Sequence, residues 1–109
     1  MLDELLILKK IKGGDIKAFE ELFRRYYFPL CCYAAGITGQ MEVAEEIVEE
    51  LFYVLWKERE RLQIFQSVKS YLYRATRNQS LQYCEHEEVR NRYRETVLTN
   101  SNPEQSTDP

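Results

Sequence analysis

Apolar residues in this chain recur at three- and four-residue intervals in four separate stretches, and nowhere do they alternate over the length of a strand. That period puts one stripe on one side of a helix, so the chain can bury its apolar surface only by packing helices together. The first stretch runs roughly from Leu2 to Lys12, with Leu5, Leu6, Leu8 and Ile11 apolar, and ends at Gly13-Gly14, a helix stop. Asp15 can cap the second, roughly Ile16 to Ala35, whose stripe is Phe19, Leu22, Phe23, Tyr26, Leu30 and Ala34. Pro29 lies inside it with no N–H to donate, which predicts a kink near Arg25 to Pro29. After a short connection over Gly36 to Gln40, the third stretch spans roughly Met41 to Arg59. Val43, Ile47, Val48, Leu51, Val54 and Leu55 form its broad face, and Phe52 and Trp56 an i, i+4 pair beside it. Arg61 to Gln66 reads as a loop. Ser67 can cap the fourth helix, which continues to about Tyr93 with a weaker pattern after Tyr83. The expected fold is all-α, a compact bundle of about four helices.

A length of 109 residues favours one domain, and 44% hydrophobic residues supply a modest core. No apolar run approaches membrane-spanning length, and Met1-Leu2-Asp3-Glu4 lacks the positive start of a signal peptide. A cytoplasmic protein without membrane insertion is therefore expected. Cys31, Cys32 and Cys84 form neither a disulfide framework nor a zinc pattern, and Cys84 with His86 makes a single C-x-H pair. One histidine, no nucleophile–base spacing, no glycine-rich phosphate loop and no ligand cluster argue against an enzyme, a metal site or a cofactor.

Charge is distributed unevenly. Met41 to Glu60 holds seven acids against two bases, a formal −5, whereas Arg61 to Cys84 holds no acid and four bases, +4, interleaved with Phe65, Tyr71, Tyr73 and Tyr83. An acidic helix suits a basic protein surface, and a basic, aromatic one suits phosphates and bases. At about 100° per residue, Lys69, Tyr73 and Arg77 share one face of the fourth helix. Val68, Leu72 and Ala75 fall on roughly the opposite face, with Tyr71 at its edge. The plain alternative is a solvated face whose tyrosines cover apolar surface. The net charge of −3 means that any nucleic-acid contact must be local or supported by a partner.

Three runs then carry a resemblance. Asp15-Ile-Lys-Ala-Phe-Glu-Glu-Leu-Phe-Arg-Arg-Tyr-Tyr, Ala44-Glu-Glu-Ile-Val-Glu-Glu-Leu-Phe-Tyr-Val-Leu-Trp-Lys and Lys69-Ser-Tyr-Leu-Tyr-Arg-Ala-Thr-Arg-Asn stand in order and at the expected spacing. Together, over about Asp15 to Tyr93, they resemble region 2 of bacterial RNA polymerase sigma factors of the extracytoplasmic-function (ECF) type. The resemblance implies an all-helical domain whose acidic helix docks on the beta-prime coiled coil of RNA polymerase core. It also implies that the following loop and helix capture the unwound non-template strand of promoter DNA at the minus-ten element. Carried onto this sequence, Glu46, Glu49, Glu50, Phe52 and Trp56 would meet the polymerase. Phe65, Lys69, Tyr71, Tyr73, Arg74, Arg77 and Asn78 would meet DNA, with Phe65 and Tyr71 stacking bases and the cations on phosphates. Anti-sigma proteins are common partners of the family.

The sequence departs from the family pattern in places. Glu49 stands where glutamine is usual, so it accepts hydrogen bonds without donating the amide's. Tyr71 replaces a common tryptophan and can serve as core instead. Gln82 stands where aspartate is frequent, and Cys84-Glu-His-Glu-Glu replaces a run of arginines, which leaves Arg90, Arg92 and Arg94 as substitutes if the helix continues. Residues 1–95 read as the domain. Residues 96–109 read as a polar, disordered tail or linker toward a second domain, the one that reads the minus-thirty-five element and is absent from this sequence. The expected function is promoter recognition and melting as part of the polymerase. The alternative is a helical protein–protein module that never touches DNA.

Overall fold

The computed structural model describes residues 3–63 and 67–101, with side chains as far as Leu98. Four α-helices follow one another: α1 (Glu4–Lys12), α2 (Ile16–Thr38), α3 (Met41–Lys57) and α4 (Val68–Ser101), with a 3₁₀ turn at Arg59–Arg61. No strand occurs among the described residues, and the all-α bundle expected from the apolar period is what forms. No described helix is long and apolar enough to cross a membrane.

Local chemistry sets the boundaries. The Asp3 carboxylate accepts from the Leu5 amide at 3.1 Å and starts α1. The Asp15 carboxylate accepts from the Lys17 and Ala18 amides at 3.0 and 3.2 Å and starts α2 as its position predicts. Gly39 ends α2 in the left-handed conformation, φ 77°, with its N–H on the Ala35 carbonyl. Because that stop comes at Gly39, α2 passes the expected end at Ala35. Pro29 does not end the helix either. It takes a donor away from the Arg25 carbonyl, but packing on three neighbours holds the element together. The Ser67 hydroxyl accepts from the Ser70 amide at 3.0 Å at the start of α4.

The core lies around α2, which packs against α1, α3 and α4. Ile7 and Ile11 of α1, Leu22 and Leu30 of α2, Val48 and Phe52 of α3, and Val68 and Leu72 of α4 are its large buried members. A polar clamp fixes α1 on α2: Glu4 accepts from Arg25 Nη1 at 3.0 Å and from the Tyr26 hydroxyl at 2.6 Å. Leu62, buried just after the 3₁₀ turn, ties the connection leaving α3 to the core.

Two results differ from the sequence expectations. The face of α4 turned inward is Val68, Leu72, Thr76 and Ser80, four residues at i+4 spacing, while Ala75 is only half-buried. Apolarity selects Ala75 from sequence, but the small hydroxyl side chains of Thr76 and Ser80 occupy the interior. In addition, α4 continues to Ser101, beyond the expected helix end near Tyr93. Residues 102–109, and with them most of the expected tail, lie outside the described residues.

Candidate functional site

On α3, Ala44, Val48, Phe52 and Leu55 point inward, so at about 100° per residue the outward face is built from Glu42, Glu46, Glu50, Tyr53 and Lys57. Glu46 and Glu50 are exposed, and their side chains make no hydrogen bond or ion pair among the described residues. Glu49 is exposed at the edge toward α2, where the Tyr27 hydroxyl donates to its Oε2 at 3.0 Å. Tyr27 in turn stacks on Phe23, ring centroids 4.7 Å apart. Burial first, and then this hydrogen bond, push the Tyr27 phenol well above its ordinary range. Glu49 therefore presents a carboxylate already engaged on one side.

The two aromatic residues expected beside those acids are placed otherwise. Phe52 is 2% exposed and meets Phe23 edge-on at 5.0 Å and Phe19 at 6.1 Å. It is a core residue and offers no surface to a partner, because its place on the helix matches the buried stripe of Ala44 and Val48. Trp56 is half-buried, 5.0 Å from Phe19, with the Arg59 guanidinium 4.3 Å over its ring and Arg59 Nη1 donating to its carbonyl at 3.0 Å. The exposed aromatic of this face is Tyr53, 59% accessible, which sequence reasoning missed. Its signal was present: Tyr53 lies three residues after Glu50 and seven after Glu46, a spacing that keeps them on one side.

On α4, Lys69, Arg74, Arg77 and Asn78 are exposed. Tyr73 is half-buried against Tyr33, edge-on at 5.1 Å, and borders the core. Tyr71, 36% exposed, and Asn78 lie on the opposite edge and line a groove between α3 and α4. The groove, about 410 Å³, is walled by Ile47, Leu51, Val54 and Leu55 of α3 and Ala75 of α4, with Glu50 and Gln79 at its polar margin. The structure thus brings Tyr71, Asn78 and Glu50 together. It sets Lys69, Tyr73 and Arg77 along the edge toward α2, with Arg74 between the two sets. Phe65 lies outside the described residues.

The later arginines are on the helix, but two of them face acids: Arg90 Nη1 is 3.4 Å from Glu87 and Arg92 Nη2 3.2 Å from Glu88. Among the described residues no group of three or more His, Cys, Asp or Glu side chains is placed to hold a metal ion.

The family model for sigma-70 region 2 matches residues 22–89, more than half of the chain, and the chain belongs to that family. Its members are not enzymes; binding to RNA polymerase core and recognition of the minus-ten promoter element are their general properties. No curated protein and no solved structure matches the chain significantly.

Proposed function

We propose that this chain is the region 2 domain of an ECF-type sigma factor, acting in the cytoplasm. It docks on the beta-prime coiled coil of RNA polymerase core through the outward face of α3. It then holds the melted non-template strand of the minus-ten element on the outer surface of α4. The observation that carries this is the pairing of exposed Glu46 and Glu50 on α3 with exposed Lys69, Arg74 and Arg77 on the neighbouring helix. Opposite charges on adjacent elements would repel each other's partners if both met the same molecule, and suit two partners of opposite sign.

The net charge of −3 fits that order of events. A weakly basic strip on an acidic protein holds DNA poorly by itself, and docking supplies the local concentration that the strip lacks. Glu46, Glu50 and the partly engaged Glu49 form the docking contact, while Phe52 supports it from within. Lys69, Arg74 and Arg77 take phosphates. Tyr71 and Asn78, at the groove, are the groups placed to meet a base face and a base edge, and Phe65 remains part of the proposed strand contact. The docking face is also the natural surface for an anti-sigma protein to cover.

Core-polymerase binding by the variant carrying Glu46→Lys and Glu50→Lys is expected to fall by more than about tenfold, the scale of two reversed contacts at about 1.4 kcal/mol per decade. Unchanged binding sinks the docking assignment. With polymerase present, a fluorescent single-stranded minus-ten oligonucleotide is expected to be retained by the wild type and lost by Lys69→Glu with Arg74→Glu. Equal retention by both leaves a protein–protein module without a DNA role.

A further inference from the structure

We infer that Tyr53 is the seat for an arginine of the docking partner, and that Lys57 occupies that seat until the partner arrives. The inference rests on the docking role proposed for α3 and names the chemistry of that contact.

The ring of Tyr53 is 59% accessible and stands on the outward face of α3. Glu49 and Glu50 precede it by four and three residues, the spacings at which helical side chains are neighbours, and Glu46 lies two turns back on the same face. A cation over this ring therefore has carboxylates along one side. Such a cation is already present within the chain: Lys57 Nζ lies 6.0 Å from the ring centroid. That distance is at the outer limit of a cation–π contact, so the ring attracts positive charge and holds this one loosely. An ammonium on a flexible stem makes a poor occupant, whereas a guanidinium lies flat on a phenol ring while its N–H fork reaches a carboxylate beside it. Glu50, which has no partner among the described residues, is the carboxylate available to that fork. Phe52 cannot serve because it is buried, and Trp56 already carries Arg59 over its ring. The Trp56–Arg59 pair shows the same chemistry completed within the chain, at 4.3 Å, one helical turn away. The surface as a whole fits a basic helical segment bearing arginine.

Two synthetic helical peptides, identical except that every cation is arginine in one and lysine in the other, test this by fluorescence anisotropy. The arginine peptide is expected to bind the wild-type chain about three- to fivefold more tightly, the range of an exposed cation–π contact. That preference is expected to survive Tyr53→Phe, to vanish in Tyr53→Leu, and to widen in Lys57→Ala. A preference unchanged in Tyr53→Leu, or narrowed in Lys57→Ala, overturns the proposal. Circular dichroism checks that each surface variant is folded. Core-polymerase binding separates this idea from the docking reading. If Glu46→Lys with Glu50→Lys abolishes it while Tyr53→Leu leaves it intact, docking stands and the arginine seat falls. If the charge reversal has no effect yet the peptides still discriminate through Tyr53, docking on polymerase falls and the seat stands.

Discussion

Phe52 and Tyr53 are adjacent in sequence and face opposite ways. Their types do not distinguish them; the helical period does, because Phe52 continues the stripe of Ala44 and Val48 while Tyr53 continues that of Glu46 and Glu50. Family resemblance assigned the first to the partner surface, and packing assigns it to the core. Phe52→Ala is therefore expected to cost about 3–5 kcal/mol of stability in a denaturant titration, the range for a buried phenylalanine. Any loss of polymerase binding should then follow loss of folded protein. The acids were legible because exposure is the default for a carboxylate, whereas aromatic residues take either side. Tyr26 offers a different check. Burial, and then its hydrogen bond to Glu4, hold its phenol up at about 12 against 10.0. The native state thus keeps a proton that the unfolded chain releases first. That contribution is complete below pH 10 and disappears as the pH rises to about 12. Stability measured across that window should fall, and fall less steeply in Tyr26→Phe.

At the scale of the element, the starts of the helices were readable and some of their faces were not. Asp15 accepts two amide hydrogen bonds, and Asp15→Ala is expected to lower stability by about 1 kcal/mol. The glycine that ends α2 was one of two in the connection, and only the left-handed φ of Gly39 identifies it as the stop. The inward face of α4 escaped the sequence because two of its four buried members are hydroxyl residues. Small side chains let α4 approach the core closely, yet Thr76 Oγ1 and Ser80 Oγ have no hydrogen-bond partner among the described residues. A buried hydroxyl without a partner is a cost that an isosteric methyl removes. Thr76→Val keeps the branched shape and is expected to raise stability by about 1 kcal/mol, read as a higher denaturant midpoint at unchanged slope.

At the scale of the molecule, the helix count and order follow from the apolar period, but the outline does not. The described fold measures 65 × 24 × 22 Å, elongated because α4 continues past the bundle. A 34-residue helix is about 51 Å long. The Cys84 thiol still donates to the Ile37 carbonyl of α2, whereas every described side chain from Glu88 to Leu98 is exposed. Polar composition hid this stretch, since a stripe-based search ends where apolar residues thin out. Local pairs sustain the helix there: Glu87 with Arg90, Glu88 with Arg92. Each such pair contributes only about 0.2–0.5 kcal/mol. Native-state hydrogen exchange should find slow amides from Tyr71, the first to donate within the helix, to Ser80 and much faster ones past Glu88.

That overhang has a thermal signature. A bundle melts as a unit, but a helical stretch whose described side chains are all exposed unwinds residue by residue, so ellipticity should drift downward on warming well before the main transition. Clipping with a protease should shorten the molecule from that end and leave the bundle's own midpoint nearly where it was.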